Sequence, residues 1–596
     1  MELLNLDGVV EKGVFEIPSY QRGYAWQIRQ LKDFWNDLEH VSKLGDKFHY
    51  MHSLTLRELE NEFESSAFEI IDGQQRLATS LILLGLLAKT TQNKDPKYSL
   101  INLEPILSYK YYGLSEAFRA IMEEEKDLER FQTSFYAKNL IEAYEFFQEK
   151  IRNLPNTTLN KLLDALTKKM LFSVVELNDN RIDPFSSFET INNRGKDLST
   201  LELLKNRLHF VVHKICDEED LENLQNEIND TYTRIYHDLR QFEDVHLESF
   251  LKHFVAYYYG ENSKFKERLL DTAFDAHKKY DDLYDEYEKI NDLLLYLSYS
   301  SKVWYFLHTL DDEELRIKIT PKMRGLLDKM RCLNALSDNA FLPLLLSLLT
   351  IQLAVRSGSE RHYTTQELEG LLEYLERFGF LIYGVAGKDT AKNEWIESAF
   401  RAFKAYKLWG DKRAIEDLPT LEKSFFKGEH SGLELLEEYI HSKKNVEKWY
   451  QWGKALNYLL YEYELYHNPE TTLNFDSSIE SIEHILPQKP DQGYSAKEKS
   501  WAKNPHIVHA LGNLLLIPKN ANSSLSNKPF EEKRKQYLKG SYSEKEVAKN
   551  ASFGVVEIQQ RSEKLLDFLI VRYRIAELVG EDAIKDFKNA LLKDIK

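Results

Sequence analysis

The chain has 596 residues, enough for about three or four domains by the usual size range, and a formal net charge of −17. That charge excludes a general DNA-coating protein, which would leave a broad basic footprint, but not an enzyme with a narrow basic groove. Two cysteines, Cys216 and Cys332, exclude a disulfide framework or a four-cysteine zinc site and fit a reducing cytoplasm. The N-terminus lacks the pattern of a signal peptide. The longest apolar stretch, Phe341–Val355, is too short to span a bilayer, so no membrane partner is expected. Glycine (24) and proline (14) are scarce, and long Leu/Glu/Lys/Tyr-rich stretches argue a predominantly helical protein.

In chain order, a short extended segment, Gly13–Ile17, ends at Pro18. Ser19-Tyr-Gln-Arg-Gly-Tyr-Ala-Trp26 follows, then a helix over Ile28–Leu44. Tyr and Trp can stack on a base or fill a core, and Gln21 and Arg22 can donate hydrogen bonds or pair internally. Strands are predicted at His49–Leu56 and Ala67–Ile71. Asp72-Gly73 breaks the second, and Gln74–Ala88 runs as a helix with Leu77, Leu81, Leu84 and Ala88 on one face. A strand, a glycine turn and a helix start make a natural anion site, because the first helical N–H groups are unpaired. Gln74, Gln75 and Arg76 place two amides and a fixed cation there. The alternative is that Asp72 caps the helix and Arg76 makes a salt bridge.

Residues 77–170 are expected to be helical, with a loop at Thr90–Lys97 and a solvated charged face at Glu123–Arg130. Strand character returns at Leu171–Leu177. Asn192-Asn-Arg-Gly195 reads as a tight turn, and Ser199-Thr-Leu-Glu202 as a capping box opening a helix through Ile215. Arg194, Lys196 and Lys205 make this a second strand–turn–helix site with cations. Residues 217–435 read as amphipathic helices, for example Leu221–Phe242, Ile290–Thr309 and Thr365–Tyr383. Gly384–Asp389 mimics a phosphate loop but lacks its spacing.

After a helix over Val446–Tyr466, Ser478–Gln488 reads as a short strand ending in Glu483-His484. In it Ile479, Ser481 and Glu483 alternate with Glu480, Ile482 and His484. A second strand is predicted over Leu511–Pro518, then a turn over Lys519–Asn527 and a helix over Pro529–Lys539. Strand, strand, helix, with Glu-His on the first strand and Asn at the turn, is the layout of a ββα metal-nuclease. Phosphodiester hydrolysis needs a base for water and a hard cation at the phosphate. His484 suits the base, and Glu483 and Asn522 offer oxygen ligands of the kind Mg²⁺ prefers. Asn513 could hold the hairpin or orient His484. Lys519, Lys528, Lys533, Arg534, Lys535 and Lys539 form the clearest basic cluster, a candidate DNA contact. The alternative is a structural histidine beside a solvated lysine face.

These motifs carry a resemblance. Pro18–Trp26, Asp72–Arg76 and Phe188–Gly195 resemble, in order and spacing, the GmrS-type N-terminal domain, of ParB/sulfiredoxin-like fold. Glu483–Gln488 with Gly512-Asn513, Asn522 and Ser526-Asn527 resembles the GmrD-type HNH nuclease domain. One chain with both resembles a fused GmrSD-type, type IV modification-dependent restriction enzyme, related to SspE-type phage-defence nucleases. The resemblance implies a mixed α+β, mainly helical protein. Its domains would be an NTP-binding sensor (1–215), a helical middle (216–435) and a nuclease (436–596). It implies NTP binding and hydrolysis at Asp72–Arg76, with Asp72 organising the phosphate loop and a candidate to orient the attacking water. Gly73, Gln74, Gln75 and Arg76 would hold phosphates, Tyr20, Gln21 and Arg22 would complete the pocket or read the modification, and Arg194 and Lys205 would close it. It implies Mg²⁺ or another divalent ion, modified phage DNA as substrate, and room for a homo-oligomer. Two departures, Ala78 for a common Thr and His52 for a common Gly before Ser53, bear on which nucleotide or modification is bound. A modification-independent nuclease and a nucleotide-regulated DNA-binding module without nuclease activity are the rival readings.

Overall fold

The computed structural model describes residues 2–59, 66–93, 98, 106–110, 112–177, 198–216, 218–240, 242, 244–275, 283–355, 363–409, 425–426, 431–442, 448–473, 479–490 and 493–595. The chain forms two compact units, Met1–Leu315 and Arg316–Lys596. The helices expected as a separate middle divide between them. Glu218–Asp238 and Leu283–Thr309 pack on each other and on Thr200–Ile215 in the first unit. Pro321–Asn334 packs on Thr365–Phe378, and Leu342–Ala354 on Lys392–Trp409, in the second. An amphipathic helix buries its apolar stripe on whichever core is nearest, and here each core claims its own set. Among the described residues, no helix is long and apolar enough to cross a membrane.

The first unit is built on a six-stranded mixed sheet in the order β1-β6-β3-β4-β2-β5. The strands are β1 (Glu2–Asn5), β2 (Val14–Ile17), β3 (His49–Leu59), β4 (Ala67–Asp72), β5 (Leu107–Tyr109) and β6 (Met170–Glu176). The sequence reading finds the four inner strands and misses both edges, β1 and β5, together with the Leu6–Lys12 helix between β1 and β2. β1 and β5 are four and three residues long and, unlike the equally short β2 between Gly13 and Pro18, have no glycine or proline directly bracketing them. Asn5 caps that helix, its side chain accepting from Gly8 N at 2.9 Å.

Gly73 joins β4 to the Gln74–Thr90 helix with φ of +99°. A side chain there would stand in the left-handed region with its Cβ 2.9 Å from the Ser53 carbonyl, so the turn needs glycine. The helix does not bury one face only. From Leu77 to Ala88 every residue is buried, because the Phe135–Ile151, Asn156–Lys168 and Tyr112–Glu123 helices all pack on it. The capping box at Ser199 forms as expected, with Ser199 and Glu202 exchanging both bonds at the start of Thr200–Ile215.

In the second unit, β7 (Glu480–His484) and β8 (Leu514–Pro518) pair antiparallel, with His484 opposite Leu514. The helix Lys519–Leu525 follows β8 at once and packs on both strands. It lies where a turn is predicted, so the ββα unit closes one helix earlier than the sequence suggests and Asn522 stands inside it. The next helix is Phe530–Tyr537. The helix predicted over Val446–Tyr466 is broken at Gly453, φ +63°, into a short Lys448–Trp452 turn and a Lys454–His467 helix.

His52 is exposed and sits at φ +66°, at the irregularity between Tyr50 and Ser53 in the β3–β6 pairing. A side chain there costs about 1–2 kcal/mol against glycine, and glycine returns roughly half through its freer unfolded chain. His52→Gly is therefore expected to stabilise the first unit by about 0.5–1 kcal/mol, read as a higher urea midpoint.

Candidate functional site

In the first unit, the Tyr20–Trp26 loop lies across the N-terminal end of the Gln74–Thr90 helix, stitched there by side-chain amides. Gln21 Nε2 donates to the carbonyls of Ile70 and Ile71. Gln74 Nε2 donates to Arg22 O at 3.0 Å, and Gln75 Nε2 to Gly23 O at 2.9 Å. Gln75 Oε1 accepts from Ala25 N at 2.8 Å. Where Gln74 and Gln75 are expected to offer their amide N–H groups to a phosphate, backbone carbonyls of the loop engage them, and Gln21, expected to complete the pocket, donates to carbonyls of β4. Asp72 and Arg76 pair at 3.1 Å, and Arg76 also donates to Ser53 O at 2.7 Å. Ser53 Oγ donates to Asp72 at 3.1 Å. The salt-bridge alternative for Arg76 is thus what the geometry contains.

The clamp has a consequence for Arg22. A Cβ on Gly23 would lie 2.5 Å from the Tyr136 ring, so the loop seats flat on that ring. Around Tyr136 a buried polar cluster gathers. Tyr136 donates to Glu202 Oε1 at 2.5 Å and packs edge-on against Tyr236 at 4.9 Å. Tyr232 follows at 5.9 Å, and the Lys205 ammonium lies 5.5 Å over its ring. Burial pushes the Tyr136 hydroxyl well up; Glu202 adds to the rise and the nearby charge of Arg22 opposes it. Lys205 is 1% exposed, and burial pushes its ammonium well down. Tyr20 is buried with Leu198 and Phe210 packed on it. Arg194 and Lys196 lie outside the described residues. The structure thus brings Arg22 and Lys205 to one tyrosine cluster, and Asp72 and Arg76 to a pair at the end of β4.

In the second unit, β7 splits its two candidate residues. Glu483 points to one side, where Lys533 Nζ meets its carboxylate at 2.5 Å and Tyr537 donates to the same oxygen at 3.0 Å. Lys533 is 0% exposed and donates also to His484 O at 2.8 Å. Burial pushes the Glu483 carboxyl up and the Lys533 ammonium down, and each opposes the other's shift by its charge. Two expectations meet this pair. Lys533 is no DNA contact, because its ammonium is buried on Glu483. Glu483, expected as a metal ligand, has its Oε1 engaged by an ammonium and a hydroxyl.

His484 points to the other side. Its Nε2 lies 3.0 Å from His509 Nδ1, the exposed Gln488 amide is 3.3 Å from its Nδ1, and the Tyr450 ring packs on it at 4.8 Å. Burial, His509 and Lys533, in that order, hold its imidazole down at about 3. It is therefore neutral near pH 7, the form a base requires. Sequence reasoning missed His509 and Tyr450. The available signal was His509 four residues before Asn513, in a segment that Asn513 turns back on β7.

Asn513 is fully buried and clamps backbone on either side of the hairpin. It accepts from Leu486 N at 2.7 Å and donates to Leu486 O at 2.9 Å and Val508 O at 2.7 Å. Gly512 lies so close to the Val555–Arg572 helix that a Cβ would meet Ile558 O at 2.0 Å. Arg561 of that helix holds the carbonyls of Gly512 and Leu514, each at 2.8 Å. Asn522 donates to Ser481 Oγ at 2.8 Å and Ile482 O at 3.0 Å, two residues before His484. Lys519, Lys528, Lys535 and Lys539 are exposed; Arg534 is half-buried and donates to Ala548 O at 2.8 Å.

Residues 4–209 match the model of the GmrSD restriction endonuclease N-terminal domain, and residues 436–568 that of the GmrSD restriction endonucleases' C-terminal domain. No curated protein matches the chain. The two matched segments take in more than half of it, and a chain with both is a nuclease of restriction type. It belongs to the GmrSD family, with both domains in one polypeptide.

Two outcomes follow from the β7 geometry. Lys533→Met leaves Glu483 buried without its cation and is expected to cost about 3–5 kcal/mol. Adding Glu483→Gln should recover part of that loss, measured by urea unfolding of both variants. The second concerns pH. An unfolded histidine takes up its proton near pH 6.5, and folded His484 only near pH 3. Between those values the unfolded chain binds more protons, so acidification destabilises the fold by up to about 1.4 kcal/mol per pH unit from this residue. His484→Asn should flatten the fall in the urea midpoint between pH 6.5 and pH 4 relative to the parent.

Proposed function

We propose that the chain is a nucleotide-regulated endonuclease that cuts modified DNA, with cutting in the second unit and nucleotide sensing in the first. The observation that carries this reading is His484: a neutral imidazole at the end of a β-hairpin, backed by the Asn513 clamp, in a chain of the GmrSD restriction endonucleases. In this reading His484 takes the proton of the attacking water. Lys519, Lys528 and Lys535, exposed just after β8 and on the next helix, would meet the DNA backbone.

The divalent ion such a nuclease would use does not fit Glu483 as the structure holds it, since the carboxylate faces Lys533. Oxygen donation near His484 would fall to Asn522, and no step is routed through a metal here. In the first unit, Arg22 and Lys205 support a nucleotide-phosphate site. Both are buried, Lys205 over the Tyr232 ring and Arg22 with its charge acting on the Tyr136 hydroxyl, and Glu202 accepts a hydrogen bond from that hydroxyl. A triphosphate there would oppose the downward push that burial gives the Lys205 ammonium.

The test is cleavage of glucosylated, hydroxymethylated, phosphorothioated and plain DNA. Each is run with Mg²⁺ or EDTA, and with or without GTP, ATP, CTP and UTP. The expected result is cutting of one modified substrate, altered by a nucleotide, lost in His484→Ala, and deaf to the nucleotide in Lys205→Met. Equal cutting of every substrate would replace this reading with a modification-independent nuclease.

A further inference from the structure

His484 does not stand alone. Its Nε2 and His509 Nδ1 are 3.0 Å apart, and the two residues are 7% and 6% exposed. At that distance one nitrogen carries a proton and the other presents a lone pair, so the two rings share a proton between them. The pair is built rather than incidental. Asn513 bonds Leu486, two residues after His484, and Val508, the residue before His509, with one side chain. The same amide therefore fixes the chain at both histidines. Tyr450 covers the pair, its ring 4.8 Å from His484 and stacked at 5.8 Å on His509.

We propose that His509 is the second histidine of the cutting site, drawing off through its ring the proton that His484 takes from the attacking water. This rests on the reading of His484 as the base. Water oxygen bonds to phosphorus, and the bond from phosphorus to the leaving sugar oxygen breaks. The water proton goes to His484 Nδ1 as the His484 Nε2 proton passes to His509 Nδ1. His509 gives its Nε2 proton to solvent, and the leaving oxygen takes one from solvent. One water is consumed, giving a phosphomonoester and a hydroxyl.

The charged and polar groups around His484 explain the need. Lys533 bonds its carbonyl from the Phe530–Tyr537 helix and is paired to Glu483; Tyr450 and Gln488 are the other polar neighbours. The ammonium opposes a positive imidazole, so a lone His484 would hold a water proton poorly at neutral pH. A second imidazole on the far nitrogen gives that proton an exit, and the Tyr450 ring face favours the cationic pair.

The test uses the full-length chain and its cleaved substrate in single-turnover pH–rate profiles, comparing the parent with His509→Asn and His484→Ala. His509→Asn is expected to keep its thermal midpoint and lose on the order of 10²-fold in rate near pH 7. Its acid limb should move to higher pH, because His509 no longer opposes protonation of His484. An unchanged rate in His509→Asn, or an equal loss at every pH with the limb in place, would overturn the relay. Full cutting by His484→Ala would instead remove the base reading beneath it. Ring-¹⁵N spectra of labelled histidines read the shared proton without any cutting: His484 resonances unchanged by His509→Asn would overturn the pair itself.

Discussion

The second unit turns on the ion pair between Lys533 and Glu483. A buried ammonium and carboxylate pay a large desolvation penalty, and their attraction offsets it only when the geometry is close and the remaining valences are filled. Here they are: Lys533 reaches both the Glu483 carboxylate and the His484 carbonyl, and Tyr537 completes the carboxylate's shell. The effect is to pin the last two residues of β7 from one side. With its backbone held from below, His484 has its ring committed to the opposite face, toward His509 and Tyr450.

The first unit uses the same principle with neutral groups. Gln21, Gln74 and Gln75 bond backbone atoms of the loop and of β4, and Asn139 reaches Tyr24 O at 3.2 Å. An amide that satisfies a buried carbonyl avoids the penalty of an orphaned polar group and fixes a segment that has no regular structure of its own. What the clamped loop positions is Arg22, whose charge acts on the Tyr136 hydroxyl. A motif rich in glutamine can thus serve to hold a neighbouring cation in place.

The frame of both units was legible where the local signal was strong. Asp72-Gly73 marked the β4-to-helix turn, and glycine is required there by φ and by Ser53. The Ser199-to-Glu202 spacing marked a helix start that the capping box forms. Glu480–His484 was readable as a strand by alternation, and the strand read over Leu511–Pro518 forms over Leu514–Pro518, its first three residues making a turn. The edges β1 and β5 were not, since their pairing partners lie far away in sequence. The Lys519–Leu525 helix was hidden by Asn and Ser residues that favour turns in isolation but are held here by packing on the hairpin.

The placement of Glu483 is the instructive one, because the sequence already argued for it. Adjacent residues of a strand face opposite ways, so a base at His484 and a ligand at Glu483 could share one site only if the strand ended between them. It does not: the β7–β8 register runs through His484 to Leu514. Lys533 could have been separated from its neighbours in the same way. Phe530, Lys533 and Tyr537 fall at i, i+3 and i+7 of one helix and are its buried residues. A lysine on the apolar stripe of a helix needs a buried anion, and a glutamate on the inner face of a nearby strand supplies one. Charge runs read as surface only while their periodicity is ignored. Taken with it, the run from Lys533 to Lys535 resolves into one structural cation, one half-buried arginine and one lysine left to solvent.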